Sequence, residues 1–383
     1  MHKYHSLLTV ILLLPPASRL VCQAGRPVVA TVDLTVDGKP DGITERSVIR
    51  VNAEGAIAVW NAGGDPSIHV ISPDGGRRGV VTRARGGLFG WIADSLWTAD
   101  PASVTVYTPM LSVARVEPFP LLVEGPPGAR PKQFSAMLPP FLLYPYPGGD
   151  LLLQIDFPLA GAASMGGGLR RLALRTSPDG QFRALAATFE SGTDSCLVKV
   201  PGASFFILRS YCSLPTTQVS ADGRSIVNAR GFVSGNDSGR IRVVRTNDRG
   251  DTLAARDFRT ATVPVSAGEM DSAIALAVAT ARDHRADPAV VRAIDQASPV
   301  APPKAHQPVS RVLACNDGSV WLEVFSEAPG HHWLILDSAA ALVGSTTFPA
   351  EVRLQQCDGR ITWGLKARPG GEADLLRFVV GGH

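Results

Sequence analysis

From residue 28 to residue 265 the apolar positions come in short runs rich in Val, Ile, Leu and Phe, and Gly, Pro and Asp break every run. No helical period is sustained across this stretch, so the pattern predicts an all-β chain. Asp-Gly pairs begin at Asp74, Asp179, Asp222, Asp317 and Asp358, each between apolar runs. Asp-Gly suits the positive φ of tight hairpin turns.

The hairpins recur inside a larger unit. Residues 48–82 read Val48-Ile-Arg-Val-Asn, a turn, Ala56-Ile-Ala-Val-Trp, a loop, Ile68-His-Val-Ile-Ser, a Pro-Asp-Gly turn, and Gly79-Val-Val. That is four strands in up-and-down order. Residues 88–119, 134–189, 194–258, 309–348 and 351–380 repeat the theme, giving six units of about 60 residues. Four-strand repeats of this size predict a six-bladed β-propeller, in which a blade buries its faces against its neighbours. The last unit lacks a strand, and the apolar run 28–36 is placed to supply it and close the ring. Seven units of about 51 residues, or a pair of β-sandwiches, are the alternatives.

Residues 266–297 break the pattern. Ser266 and Glu269 have capping-box spacing, and Met270, Ile274, Ala277, Val278 and Ala281 follow with helical period. Asp287-Pro288 restarts a helix with Pro at its first position, and Val290, Val291 and Ile294 form its apolar side. The expectation is a helical hairpin inserted between the fourth and fifth blades.

The first residues bear on compartment. Lys3 precedes the apolar run Ser6–Leu14, and Ala24 and Cys22 stand at −1 and −3 of a cleavage point. The run is shorter than the ~20 residues that span a bilayer. Residues 1–24 therefore read as a secretory signal, leaving 25–383 as one propeller domain that is secreted or periplasmic. Lipidation at Cys22 fits poorly, because Arg19 and Val21 stand where Leu and a small residue are wanted. No later segment is long and apolar enough to span a membrane. The net charge of +3, from 37 basic and 34 acidic residues, argues against a chain built to bind nucleic acid.

Four cysteines follow the leader, and an exported chain permits disulfides. Cys196 and Cys212 flank a hairpin around Pro201-Gly202, so their bridge is the expected one. Cys315 and Cys357 stand at equivalent points of successive units. Such points can lie beyond the ~7 Å Cα separation that a disulfide tolerates, which makes that pair the less favoured and leaves its pairing open.

The chain shows no reaction motif. Ser164, in Ala162-Ala-Ser-Met-Gly166, sits in a glycine-rich loop with no helix after it, unlike a nucleophile elbow. Adjacent His331 and His332 read as a surface turn, since neighbours on a strand point to opposite faces. Residues 247–252, Asn-Asp-Arg-Gly-Asp-Thr, read as a turn between strands. Asn236 begins a glycosylation sequon. Trp60, Trp97, Trp321 and Trp363 occupy similar places on second strands, which predicts packing between blades rather than an aromatic binding surface.

Gln218-Val-Ser-Ala-Asp-Gly-Arg, Arg242-Val-Val-Arg, Asp251-Thr-Leu, Val263-Pro-Val-Ser with Glu269, Pro308-Val-Ser-Arg-Val-Leu and Asn316-Asp-Gly-Ser-Val-Trp together resemble bacterial exported six-bladed propeller proteins. They are similar, more distantly, to NHL-type and TolB-type propellers. The resemblance covers most of 48–380, is poorest in the loops of the second and third units, and implies fold and export. It carries over no catalytic residue. The expected function is therefore non-enzymatic binding of a protein or small ligand on one face of the ring, by a monomer without a cofactor. The alternative is a hydrolase resembling calcium-dependent propeller lactonases and esterases, with an ion held in the channel by carboxylates and Asn from several blades.

Overall fold

A computed structural model describes residues 26–61, 67–82, 88–100, 102–128, 132–135, 142–158, 169–190, 197–199, 206–208, 216–234, 238–283, 287–295 and 304–381. Six four-stranded antiparallel sheets account for most of them. The sheets are the blades of a six-bladed β-propeller, as the repeat predicts. Each runs in simple up-and-down order from an innermost to an outermost strand. The innermost strands are Val48–Val51, Leu88–Ile92, Leu142–Pro145, Thr216–Val219, Val309–Ala314 and Val352–Asp358, for blades 1 to 6 in that order.

Blade 6 takes its outermost strand from the other end of the chain. Val29–Val36 pairs antiparallel with Ala373–Gly381, from Val29 opposite Gly381 to Val36 opposite Leu375. The N-terminal run thus closes the ring as expected. One sheet's hydrogen bonds join the first and last strands of the ring.

The turns follow the predicted chemistry. The glycines of these five Asp-Gly pairs, Gly75, Gly180, Gly223, Gly318 and Gly359, have positive φ. Two of them are also pinned by close contacts. A Cβ on Gly223 would fall 2.2 Å from the Tyr144 ring, and one on Gly180 would fall 2.1 Å from the Leu122 carbonyl oxygen. The Asn247–Asp251 turn joins two strands of blade 4, with the Asn247 N–H donating to Asp251 O at 3.0 Å.

The core lies between blades, where facing sheets interlock. The seam between blades 5 and 6 buries Leu313, Trp321, Trp333, Phe348, Leu354 and Phe378. Of the four second-strand tryptophans, Trp97, Trp321 and Trp363 are buried and Trp60 is half-buried against the blade 1 core. An aromatic of this size removes 150–250 Å² from water.

The helical insert forms as its caps predict. Helix α1 is Ala267–Asp283 and helix α2 is Pro288–Asp295. The Ser266 N–H donates to Glu269 Oε2 at 2.8 Å, and the Glu269 N–H donates to Ser266 Oγ at 3.3 Å, completing the capping box. Asp287 caps α2 by accepting from the Ala289 N–H at 2.6 Å. Among the described residues, no helix is long and apolar enough to cross a membrane.

Three expectations need correction. Blade 3 begins at 142 rather than 134, and blade 4 at 216 rather than 194. The intervening residues include two small hairpins, Leu122–Glu124 with Gln133–Ser135 and Leu197–Lys199 with Phe206–Leu208. The first packs along a blade 3 turn, where the Glu124 N–H donates to Gly180 O at 2.8 Å. The third concerns the less favoured pair Cys315–Cys357, which is a disulfide with Cα atoms 5.0 Å apart. Both cysteines end innermost strands, and these converge on the propeller axis, so equivalent points there are close. Cys196 and Cys212, the expected pair, lie outside the described residues. So do the leader 1–24, Ser164 and Asn236.

Candidate functional site

An innermost strand has no sheet neighbour on its channel side, so backbone N–H and C=O groups there lack ladder partners. In this propeller, side chains of adjoining blades fill that role. Between blades 6 and 1, Val51 N–H donates to Gln356 Oε1 at 2.7 Å and Gln356 Nε2 donates to Val51 O at 2.6 Å. Between blades 1 and 2, the Trp91 indole N–H donates to Arg50 O at 2.9 Å. Between blades 2 and 3, the Tyr144 hydroxyl donates to Trp91 O at 3.1 Å. Between blades 3 and 4, the Tyr146 hydroxyl donates to Gly223 O at 3.1 Å. Between blades 4 and 5, the Ala314 N–H donates to Gln218 Oε1 at 3.2 Å. Between blades 5 and 6, Arg311 Nη2 donates to Leu354 O beside the disulfide. The result is an unbroken belt of inter-blade bonds around the channel.

Inside the belt lies a cavity of about 230 Å³ to which all six innermost strands contribute. Arg50, Trp91, Tyr144, Thr217, Ala314 and Gln355 represent the six blades in its wall. Leu88, Phe89, Leu142, Leu143 and Val219 make much of that wall apolar.

Three polar groups on this wall stand apart from the belt. Arg50 is partly exposed; its Nη1 donates to Ile49 O at 2.9 Å, and its guanidinium sits 5.8 Å from the Phe89 ring centre. It has no carboxylate partner among the described residues. Burial lowers its pKa with no neighbouring acid to offset the shift. The Gln355 amide hydrogen-bonds to no described residue. Gln355 sits at an irregularity in its strand, where the register slips between Leu354 and Gln356. That extra residue lets Gln355 and Gln356 both line the cavity, which strict alternation forbids. The third group is the Trp97 indole N–H, which is buried and unpaired. Gly90 allows it there, since a Cβ on Gly90 would fall 2.9 Å from Trp97 Nε1.

Beyond the cavity, where the innermost strands end, the wall turns acidic. Burial raises the Asp358 carboxyl pKa, and Asp317 and Asp222 push it further. Burial also pushes the Tyr144 hydroxyl up to about 12, so it remains a donor at ordinary pH.

A second cluster lies between blades 5 and 6. His331 Nδ1 meets Glu323 Oε1 at 2.5 Å, His331 Nε2 meets Ala350 O at 3.1 Å, and Arg311 Nη1 lies 3.7 Å from Glu323 Oε2. Both ring nitrogens face oxygens, which leaves neither free as a general base. His331 and His332 lie on a strand, His331–Leu336, rather than in a turn, and they make separate contacts. His332 Nδ1 meets Thr347 Oγ1 at 3.0 Å instead. Among the described residues no group of three or more His, Cys, Asp or Glu is placed to hold a metal ion.

Sequence reasoning did not single out Arg50, Gln355 or Gln356. The signals were an Arg inside the apolar run Val48-Ile-Arg-Val and a Gln-Gln pair just before Cys-Asp-Gly. Both look like solvent-facing strand positions until the ring is closed around them.

No family model matches the chain, and no curated protein matches it. Among solved structures, it is similar to the PQQ-bound aldose sugar dehydrogenase of Streptomyces coelicolor, at 12% identity over 94% of this chain and 100% of that one, with a TM-score of 0.36. It is also similar to the Pan2 WD40 domain of Neurospora crassa, at 7% identity over 92% and 96%, with a TM-score of 0.37. A Bacteroides caccae protein of unknown function matches at 10% identity over 79% and 81%, with a TM-score of 0.30. The fold rests on the strand order above and not on these distant likenesses.

Proposed function

We propose that the protein is a non-enzymatic binding propeller, exported through the 1–24 leader, that holds a small molecule in its channel cavity. The observation that carries this reading is the composition of the cavity wall. All six innermost strands reach it, much of it is apolar and aromatic, and a few polar groups on it lack partners among the described residues. That is the make-up of a small-molecule site. The sequence leads to the expectation of binding on one face of the ring; the lining of the cavity supports a site inside it instead.

The described lining does not fit the calcium-dependent hydrolase alternative. Calcium takes six to eight oxygen ligands, with carboxylates prominent. The cavity lining includes no carboxylate and does include the Arg50 guanidinium, and among the described residues the carboxylates at the channel end, Asp222, Asp317 and Asp358, do not form a metal-holding group. The melting temperature in millimolar calcium is therefore expected to equal that in EDTA. A calcium-dependent rise of several degrees would favour the hydrolase.

The binding reading is tested by screening small molecules against the wild-type chain and Leu143→Trp, with a bulky ring added at the cavity wall. Ligands that bind the wild type and are lost in L143W support it. Ligands that bind both chains equally would place the site elsewhere.

A further inference from the structure

The belt uses most of the polar side chains that the innermost strands direct at the channel. Trp91, Tyr144, Gln218, Arg311 and Gln356 each bond the backbone of a neighbouring blade. Arg50 and Gln355 do not. A guanidinium partly drawn from water without a counter-charge carries a cost. Blade 5 shows how this fold meets that cost when the role is structural: Arg311 has Glu323 beside it. Among the described residues no such acid stands beside Arg50.

Its remaining donors have no partner among the described residues. Ile49 O takes a hydrogen from Nη1, which leaves the Nε–Nη2 edge. That edge presents two parallel N–H groups, the fork that matches a planar oxyanion. Gln355 adds an unpaired amide on the same wall, and the bulge in its strand is what turns it there. The Trp97 indole N–H adds an unpaired buried donor.

Resting on the channel-binding reading above, we infer that the ligand is a small organic carboxylate. Its carboxylate lies on Arg50 and its apolar body lies against Phe89, Trp91 and Tyr144. A single guanidinium balances a monoanion, and the aromatic part of the wall at Phe89, Trp91 and Tyr144 suits an organic body better than a hydrated inorganic dianion. Arg50 is thus the specificity-determining residue, and Gln355 is its polar helper.

The test is titration calorimetry, with tryptophan fluorescence as a second readout because Trp91 and Trp97 line the cavity. The probes are benzoate, its neutral shape-match benzamide, carboxylates from acetate to indole-3-acetate, and inorganic phosphate. Saturable binding of at least one organic carboxylate is expected, with the matching amide weaker by about tenfold or more. Arg50→Gln should lose that preference. Arg50→Lys, which keeps the charge and loses the fork, should weaken carboxylate binding while remaining folded. Three results would overturn the inference: amide and acid binding alike with R50Q unchanged, phosphate binding tighter than every carboxylate, or no carboxylate binding at all. If neutral molecules then still bind in an L143W-sensitive way, the channel reading survives. If they do not, both fail.

Discussion

Blade 5 and blade 1 each carry an arginine on the innermost strand, Arg311 and Arg50, and their surroundings differ. Both lie near an aromatic ring, Trp333 at 5.7 Å and Phe89 at 5.8 Å. Burial lowers the pKa of both. At Arg311 the Glu323 carboxylate opposes the shift, and at Arg50 nothing does. Arg311 also bonds across to blade 6, next to a disulfide and a dense aromatic cluster. Arg50 faces a cavity. The seam between blades 5 and 6 is built for cohesion, whereas the wall at blade 1 keeps charged and polar groups available. Counted from the turn that follows each innermost strand, the two arginines stand two residues apart in the repeat, and they differ in whether the protein supplies a partner.

The largest expected effect comes from opening the cohesive side. The Cys315–Cys357 bridge spans 42 residues, for which the chain-entropy model gives about 4 kcal/mol. Replacing both cysteines by alanine should lower stability by ~2–4 kcal/mol in urea denaturation. An unchanged midpoint would mean that the belt and core alone hold this seam.

Breaking the ion pair comes next. Arg311→Met leaves Glu323, only 6% exposed, with His331 as its remaining side-chain partner. A loss of about 1–3 kcal/mol is expected from the uncompensated carboxylate and the lost bond to Leu354 O. Adding Glu323→Gln to that background should recover part of the loss, which a double-mutant cycle measures.

The smallest effect concerns the acidic end of the channel. Asp358 has its pKa raised by burial, then by Asp317 and Asp222. Such a group binds more protons folded than unfolded, so its contribution is full below the ordinary carboxylate pKa and is lost as pH rises through the folded value. Asp358→Asn should therefore stabilise the protein at neutral pH, by under about 1 kcal/mol because the side chain meets solvent. The gain should shrink toward zero below roughly pH 4. A gain that persists in acid would show that charge is not its cause.

Much of this architecture is legible in the chain. Apolar alternation and five Asp-Gly turns mark the blades, and the run 28–36 reveals the closing strand, because these signals are local. Ser266 with Glu269, and Asp287-Pro288, mark the helical insert for the same reason. The hairpin at 122–135 is hidden, since its strands are three residues long and Gly125-Pro-Pro-Gly128 separates them. The Cys315–Cys357 bridge is hidden because its distance depends on how innermost strands converge. The site is hidden for a related reason. Val48-Ile-Arg-Val reads as an ordinary half-exposed strand, and nothing local distinguishes an Arg facing bulk water from one facing a closed channel. The slip that turns Gln355 inward arises in pairing with Ile361–Ala367 and leaves only a Gln-Gln pair as its trace.

The measurement closest to the central claim compares the thermal unfolding of Arg50→Met and Arg311→Met at neutral pH without ligand. If Arg50 is held for a ligand and Arg311 for the fold, R311M melts several degrees lower while R50M melts at or above the wild-type temperature. Equal losses in the two variants would make Arg50 a structural residue like Arg311, and the distinction between the two walls of the channel would be wrong.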